Sequence, residues 1–245
     1  MYAVGLTDVG KVRDHNEDVI YYTTSPIGSL PNLFIVADGM GGHNAGEIAS
    51  AKSLEYSVNF ITGAECYDTK EDILDILKTA IVIANTNVFK LSTTNPAYSG
   101  MGTTFSACTI YQDTMIISHV GDSRIYTICP KEITQITKDH SFVQEMIDAG
   151  EITKEEARTH SKRNMITKVL GCDLELTPDG FFHDISDAHY VLLCSDGLTD
   201  MLSDEEIKNI VLQEKDTQSL IDAANLKGGK DNISAIIIDV RGETT

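Results

Sequence analysis

Three aspartates in this chain stand at the borders of apolar runs. Asp38 follows "FIVA" within "FIVADGMGGH" (residues 34–43), Asp196 follows "YVLLCS", and Asp231 stands in "GGKDNISAIII", just ahead of an apolar run that begins at Ser234. In an antiparallel sheet the end of one strand lies beside the beginning of its neighbour, so Asp38, Asp196 and Asp231 are expected to share one rim. Carboxylates gathered at one place raise each other's pKa unless something positive sits among them. An oxygen-only set of this kind suits hard divalent cations such as Mg²⁺ or Mn²⁺, and the soft ligands that zinc prefers are missing nearby. A lone Asp-Gly dipeptide is more often a turn; the shared strand-border placement of all three shifts the balance toward a metal site.

A second cluster, "DVGKVRDHNEDVIYY", sets Arg13, Glu17 and Asp18 ahead of another strand-like run. Asn16-Glu17-Asp18, taken alone, reads as a solvated turn. The Arg13 guanidinium is either a structural counter-charge or a two-pronged clamp for a tetrahedral oxyanion such as phosphate. Other patterns fail. The glycine spacing of residues 41–46 resembles a P-loop, but Glu47 stands where Lys is required. Ser195 lacks the first glycine of a nucleophile elbow, since Leu193 occupies it. Asp196, Asp200 and Asp204 lack the spacing and the central glycine of a calcium loop.

The elements that must position these residues follow from periodicity. Short apolar or alternating runs at 2–7, 19–23, 33–37, 103–111, 114–120, 124–129, 180–183, 189–194 and 234–240 read as strands. The very short links Gln112-Asp113 and Gly121-Asp122-Ser123 predict antiparallel neighbours. Helical patterns occupy 45–61, 71–91, 142–149 and 204–212, with a weaker one at 219–226. Ser203 with Glu206, and Thr153 with Glu156, have the form of capping boxes. Helices in blocks between hairpins point to α+β with layered sheets. No linker or repeat divides the 245 residues, so a single domain over 1–245 is expected. The polar stretch 140–163, broken at Gly150, reads either as a small appended element or as an ordinary helical excursion.

Composition excludes several partners. With 37 acidic against 19 basic residues, the formal net charge is -18; such a surface disfavours nucleic acid and anionic membranes. Five dispersed cysteines form no C-x-x-C pair, which fits reduced thiols in a cytoplasmic protein. The N-terminal residues lack the pattern of a secretory signal, and no stretch reaches the roughly 18 apolar residues of a membrane span.

Eight segments in order, "TDVGKVRDHNED", "VADGMGGHNAGEIAS", "MGTT", "GDSRIY", "ITKDHS", "RNMITKVLG", "LLCSDGLTD" and "GGKDNIS", resemble the metal-dependent Ser/Thr protein phosphatases of the PPM, or PP2C, type in their compact bacterial form. The resemblance implies an αββα four-layer sandwich, two face-to-face antiparallel sheets flanked by helices, with a metal cleft at one end. It implies two or three Mn²⁺ or Mg²⁺ ions. Asp38 bridges two of them, Asp196 and Asp231 complete one, the Gly39 carbonyl serves the other, and Glu17 and Asp18 hold metal-bound waters. Asp122 helps Asp196 bind a third, weaker ion; Arg13 grips the substrate phosphate; residues 140–163 form a mobile flap. The implied reaction is in-line attack of a metal-bridging water on phosphoserine or phosphothreonine, without a phosphoenzyme. Implied partners are phosphorylated proteins and a eukaryotic-like Ser/Thr kinase, with a cytoplasmic monomer as the working unit.

One position departs from the wider family. Eukaryotic members commonly have His directly after the Asp-Gly pair, a candidate general acid, whereas this chain has Met40. His43 either substitutes or is structural. Two competing classes are a non-catalytic module that keeps the fold, whose mark would be lost metal acids, and a phosphoesterase for nucleotides or nucleic acid, which the acidic surface disfavours.

Overall fold

The computed structural model describes residues 1–41, 45–65 and 69–242. The strands are β1 (Tyr2–Asp8), β2 (Asp18–Thr23), β3 (Leu33–Met40), β4 (Gly102–Thr103), β5 (Phe105–Tyr111), β6 (Thr114–Val120), β7 (Arg124–Ile128), β8 (Ile133–Gln135), β9 (Asp179–Asp184), β10 (Tyr190–Cys194) and β11 (Ile233–Asp239). The helices are α1 (Ala45–Gly63), α2 (Lys70–Thr94), α3 (Phe142–Asp148), α4 (Lys154–Thr159), α5 (Asp196–Thr199), α6 (Asp204–Glu214) and α7 (Thr217–Leu226).

Both faces of the central strands are apolar, and the period of two sorts them into layers. Along β3, Leu33, Ile35 and Ala37 join the core under α1 and α2. Phe34 and Val36 point the other way and meet Val191, Leu193, Ile236 and Ile238 from β10 and β11. Those last two strands in turn direct Leu192, Cys194, Ala235 and Ile237 toward α6 and α7. The result is helix, sheet, sheet, helix, an α+β sandwich with each sheet buried on both faces. One sheet has the order β1-β11-β10-β7-β8, the other β2-β3-β5-β6-β9 with β4 beside β3, and every pairing is antiparallel.

Three local departures from the sequence expectation bear on the site. The strand expected at 33–37 continues through Asp38 to Met40, because Gly39 and Met40 pair with Thr103 and Gly102 of β4. Gly39 therefore lies in the strand and not in a turn. A Cβ at Gly39 would stand 2.2 Å from the Gly46 carbonyl oxygen, so glycine there lets the first turn of α1 lie against the strand. Second, the Gly121-Asp122-Ser123 link is not a hairpin: β6 and β7 belong to different sheets, and the chain crosses between them through Gly121 at φ +106°. Third, β8 and the single turn of α5 lack any run long enough to announce them. The expected capping boxes do close, at Ser203 with Glu206 and at Thr153 with Glu156.

Candidate metal centre

Strand register brings the acids together. β2 and β3 pair with Asp18 opposite Asp38. The buried Asp18 carboxylate faces the other sheet, where its Oδ2 accepts hydrogen bonds of 2.7 Å from the hydroxyls of both Ser195 and Ser234. Ser195 immediately precedes Asp196. It donates its own N–H to the Ser234 carbonyl at 3.1 Å and accepts the Ser234 N–H on its hydroxyl at 3.0 Å. These bonds tie the end of β10 to the start of β11. At the next step a Cβ on Gly197 would lie 1.9 Å from the Asn232 carbonyl oxygen and 3.4 Å from the Asp231 Cβ, so the Asp196 and Asp231 segments are in contact.

Backbone bonds fix the rest of the rim. The Asp38 N–H donates to the Thr104 hydroxyl at 2.9 Å, and its carbonyl accepts from the Thr104 N–H at 2.8 Å and the Thr103 hydroxyl at 2.9 Å. Glu17 donates its N–H to Asn232 Oδ1 at 2.9 Å, while its carbonyl accepts the Gly39 N–H at 3.1 Å. Asn232 also gathers the 9–15 loop by donating to the Val9 and His15 carbonyls.

The electrostatics are those of crowded acids. Burial and then the neighbouring Asp18, Asp196, Asp122 and Asp231 hold Asp38 well above the ordinary carboxylate range. Asp196 is raised in the same way, by burial and by Asp122, Asp200 and Asp231. Asp18 is pushed up to about 6 by burial, against the pull of Ser234 and Ser195. Asp122 is pushed up to about 7 by burial and by Asp139, partly offset by Arg124. Burial raises Glu17 as well, although Arg13 and the Gly46 and Glu47 amides pull it down.

These residues fit a divalent cation. Buried carboxylate oxygens with no hydrogen-bond partner occur at Glu17 Oε1, Asp18 Oδ1, Asp122 Oδ1 and Asp196 Oδ1, and hard cations take oxygen ligands. Unpaired buried acceptors are costly, and all four belong to this one end of the sandwich. Among the described residues no group of three or more His, Cys, Asp or Glu side chains is arranged to hold a metal ion as it stands.

The remaining expected residues divide. Arg13 stands at the rim, with side-chain exposure of 49%, and its Nη2 donates to Asp231 Oδ2 at 2.8 Å. Gly39 lies in β3, and Asp122 is buried at the crossing between the sheets. His43 lies outside the described residues, so the choice between its two roles stays where the sequence left it. Sequence reasoning missed Ser195, Ser234, Thr104 and Asn232, which hold the acids or their strands. Asp200, considered only in the rejected calcium-loop pattern, adds negative charge beside Asp196 and Asp122. Direct adjacency to Asp196 marked Ser195; nothing local marked Thr104. The four described cysteines, Cys108, Cys129, Cys172 and Cys194, are free, and among the described residues no helix is long and apolar enough to cross a membrane.

Comparison with known proteins places these features in a wider set. Residues 11–225 match the model of the family described as protein phosphatase 2C. The protein phosphatase PhpP of Streptococcus pneumoniae is 37% identical over 243 residues, covering 97% of each chain. The crystal structure of the serine/threonine phosphatase Stp1 from Staphylococcus aureus superposes with a TM-score of 0.90 at 36% identity, over 98% of this chain and 95% of that one. The catalytic domain of the serine threonine protein phosphatase PstP, in complex with 2 manganese ions, superposes with a TM-score of 0.82 at 34% identity over 97% of each chain.

Proposed function

This chain belongs to the protein phosphatase 2C family, a family of hydrolases, and from that premise we propose that it removes phosphate from phosphoserine and phosphothreonine in proteins with the help of Mn²⁺ or Mg²⁺. The observation that carries the metal is the set of unpartnered carboxylate oxygens on Glu17, Asp18, Asp122 and Asp196 at one end of the sandwich. PhpP and Stp1 are named as phosphatases, and PstP carries manganese, which supports the same reading here.

In this reading Asp38, Asp196 and Asp231, with the Gly39 carbonyl, would hold two ions, Glu17 and Asp18 would support them from the second layer, and Asp122 with Asp196 would hold a weaker third. Bound ions of this kind supply a nucleophilic water at neutral pH and stabilise charge on the phosphoryl oxygens, so that no phosphoenzyme is needed. The chain's own residues set the geometry. Thr103 and Thr104 fix the backbone of Asp38, and Ser195 and Ser234 keep the Asp18 carboxylate oriented and favour its charged form. Arg13, paired with Asp231 and half exposed, would present its fork to a phosphate. Residues 140–163, which carry α3 and α4, act as the flap, and one domain spans 1–245. The working unit is a cytoplasmic monomer that opposes a eukaryotic-like Ser/Thr kinase.

The test is phosphate release from a phosphothreonine peptide in Mn²⁺ and in EDTA, with Asp38→Asn as the matched variant. Turnover in Mn²⁺ alone, abolished in the variant, is expected. Wild-type protein that binds Mn²⁺ yet releases no phosphate overturns the reading in favour of a non-catalytic module.

A further inference from the structure

The crossing between the two sheets is gripped from both sides. A Cβ at Gly121 would stand 2.6 Å from the Thr104 Cβ, so the Gly121 backbone is pressed against the residue whose hydroxyl accepts the Asp38 N–H and bonds the Ser123 hydroxyl at 2.7 Å. On the other side lies His140. Its N–H donates to the Gly121 carbonyl at 2.8 Å, and its Nδ1 accepts the Gly121 N–H at 2.9 Å. One residue thus takes both backbone polar groups of the glycine that precedes Asp122. A ring nitrogen that accepts carries no proton, which puts the proton on Nε2, 3.2 Å from Asp179 Oδ2. The ring also stacks on that of buried His119, with centroids 5.0 Å apart.

The same point closes segment 140–168. The Thr167 N–H donates to the His140 carbonyl at 2.8 Å, and Lys168 Nζ reaches the second Asp179 oxygen at 2.7 Å. Asp179 at the start of β9 therefore holds both ends of the segment that carries α3 and α4.

We propose that His140 is a positioning residue: as the neutral tautomer protonated on Nε2, it holds the Gly121-Asp122 turn against Thr104 and so joins the base of segment 140–168 to the acid rim. Its effect on turnover rests on the phosphatase reading above; its grip on Gly121 does not. The acceptor sits on the δ atom, and that makes the two conservative amides unequal. Asn places its carbonyl oxygen where Nδ1 stands, whereas Gln places its own farther out, toward the Nε2 position.

The experiment compares wild type, His140→Asn and His140→Gln in three readouts: hydrogen exchange of the Gly121 amide in metal-free protein, Mn²⁺ binding by calorimetry, and kcat and KM on a phosphothreonine peptide. For His140→Gln we expect faster Gly121 exchange, an affinity for the weakest Mn²⁺ lower by about tenfold to a hundredfold, and a kcat lower by a similar factor. KM should stay within about twofold, because Arg13 and the mouth are untouched. His140→Asn should keep all of these values within about threefold of wild type. If the two variants behave alike, both impaired or both normal, the proposal is overturned. Should His140→Gln fail to fold, the ring nitrogens of wild-type His140 decide by ¹⁵N spectroscopy near neutral pH: a bare Nδ1 and a protonated Nε2 support the proposal, and a proton on Nδ1 overturns it. A wild type that binds Mn²⁺ without releasing phosphate defeats the phosphatase reading, while Gly121 exchange still judges His140.

Discussion

The Asp18 carboxylate on one sheet accepts a 2.7 Å hydrogen bond from Ser195, which directly follows a strand of the other. With Ser234 making a second such bond, a charged group becomes the link between the sheets where the acids collect. Hydrogen bonds to charged groups contribute roughly 1.5–3 kcal/mol each. Ser195→Ala should therefore raise the Asp18 pKa further and weaken Mn²⁺ binding by about tenfold. Calorimetric titration against wild type and Ser234→Ala checks this; unchanged affinity in both variants would show that the serines only pack.

Raised carboxylates give the metal-free protein an unusual pH dependence. A group whose folded pKa lies above its unfolded value contributes stability that is fully present below the unfolded pKa and is lost as pH rises through the folded one. For Asp18 the window runs from the ordinary aspartate value of 3.8 to about 6. In EDTA, Asp18 should therefore make the chain less stable as pH rises across that window, and Asp18→Asn should flatten this part of the curve. Buried His119, pushed down to about 4 by burial and by His140, works in the opposite sense: its contribution is present above 6.5 and falls away as pH drops toward 4. Thermal unfolding of wild type, Asp18→Asn and His119→Gln from pH 4 to pH 7 in EDTA separates the two. A wild-type curve unaffected by Asp18→Asn would show that Asp18 is not raised.

Crowding also predicts opposed effects on stability and function. Asp196 sits among Asp122, Asp200, Asp231 and Asp18, all of which raise its pKa. Asp196→Asn keeps the shape and removes one like charge, so metal-free protein should unfold at a higher temperature. The same variant should lose the stabilisation that Mn²⁺ gives wild type and lose at least about a hundredfold in kcat. Paired melting curves with and without Mn²⁺ provide the measurement, and a lower metal-free melting temperature would count against the repulsion argument.

Layered sheets were legible because helical patterns fall in blocks between short apolar runs, whereas the αββα order came from the resemblance, since β3, β10 and β11 are apolar on both faces and show no alternation. The three rim acids were legible because each borders such an apolar run. What escaped depends on partners far away in sequence. Thr104 looks like any threonine until Asp38 docks on it 66 positions distant, and Ser234 shows its use only when Asp18 arrives 216 positions away. The Gly121 link was misread as a hairpin because short loops usually join sheet neighbours, and only the sandwich reveals that this one changes sheets. The metal roles proposed for Glu17, Asp18 and Asp122 rest on family resemblance and not on pattern.

Arg13 tests whether the mouth recognises geometry or charge alone. Its guanidinium is paired with Asp231 and open to solvent, so the fork stays available. Arg13→Ala should lower kcat/KM on a phosphothreonine peptide by about tenfold to a hundredfold, the equivalent of one charged hydrogen-bonding contact. Arg13→Lys should recover only part of this, because an ammonium cannot engage two phosphate oxygens in one plane. Steady-state kinetics decide it, and full recovery by Lys would reduce the residue to a counter-charge for Asp231.

Gly121 is the point where backbone conformation and site chemistry meet. Its φ of +106° lies in the region that side chains avoid, and an added methyl would also collide with the Thr104 Cβ at 2.6 Å. Neither problem can be relieved by rotating a flexible side chain, since Thr104 is buried and held by Asp38 and Ser123. Gly121→Ala should therefore destabilise by roughly 1–3 kcal/mol from backbone strain. Its loss of activity should exceed that expected from any unfolded fraction, because the displaced Thr104 releases the Asp38 N–H. Denaturant unfolding together with kcat at a temperature where the variant remains folded measures both parts. Normal kcat in folded Gly121→Ala would show that the turn can shift without disturbing Asp38.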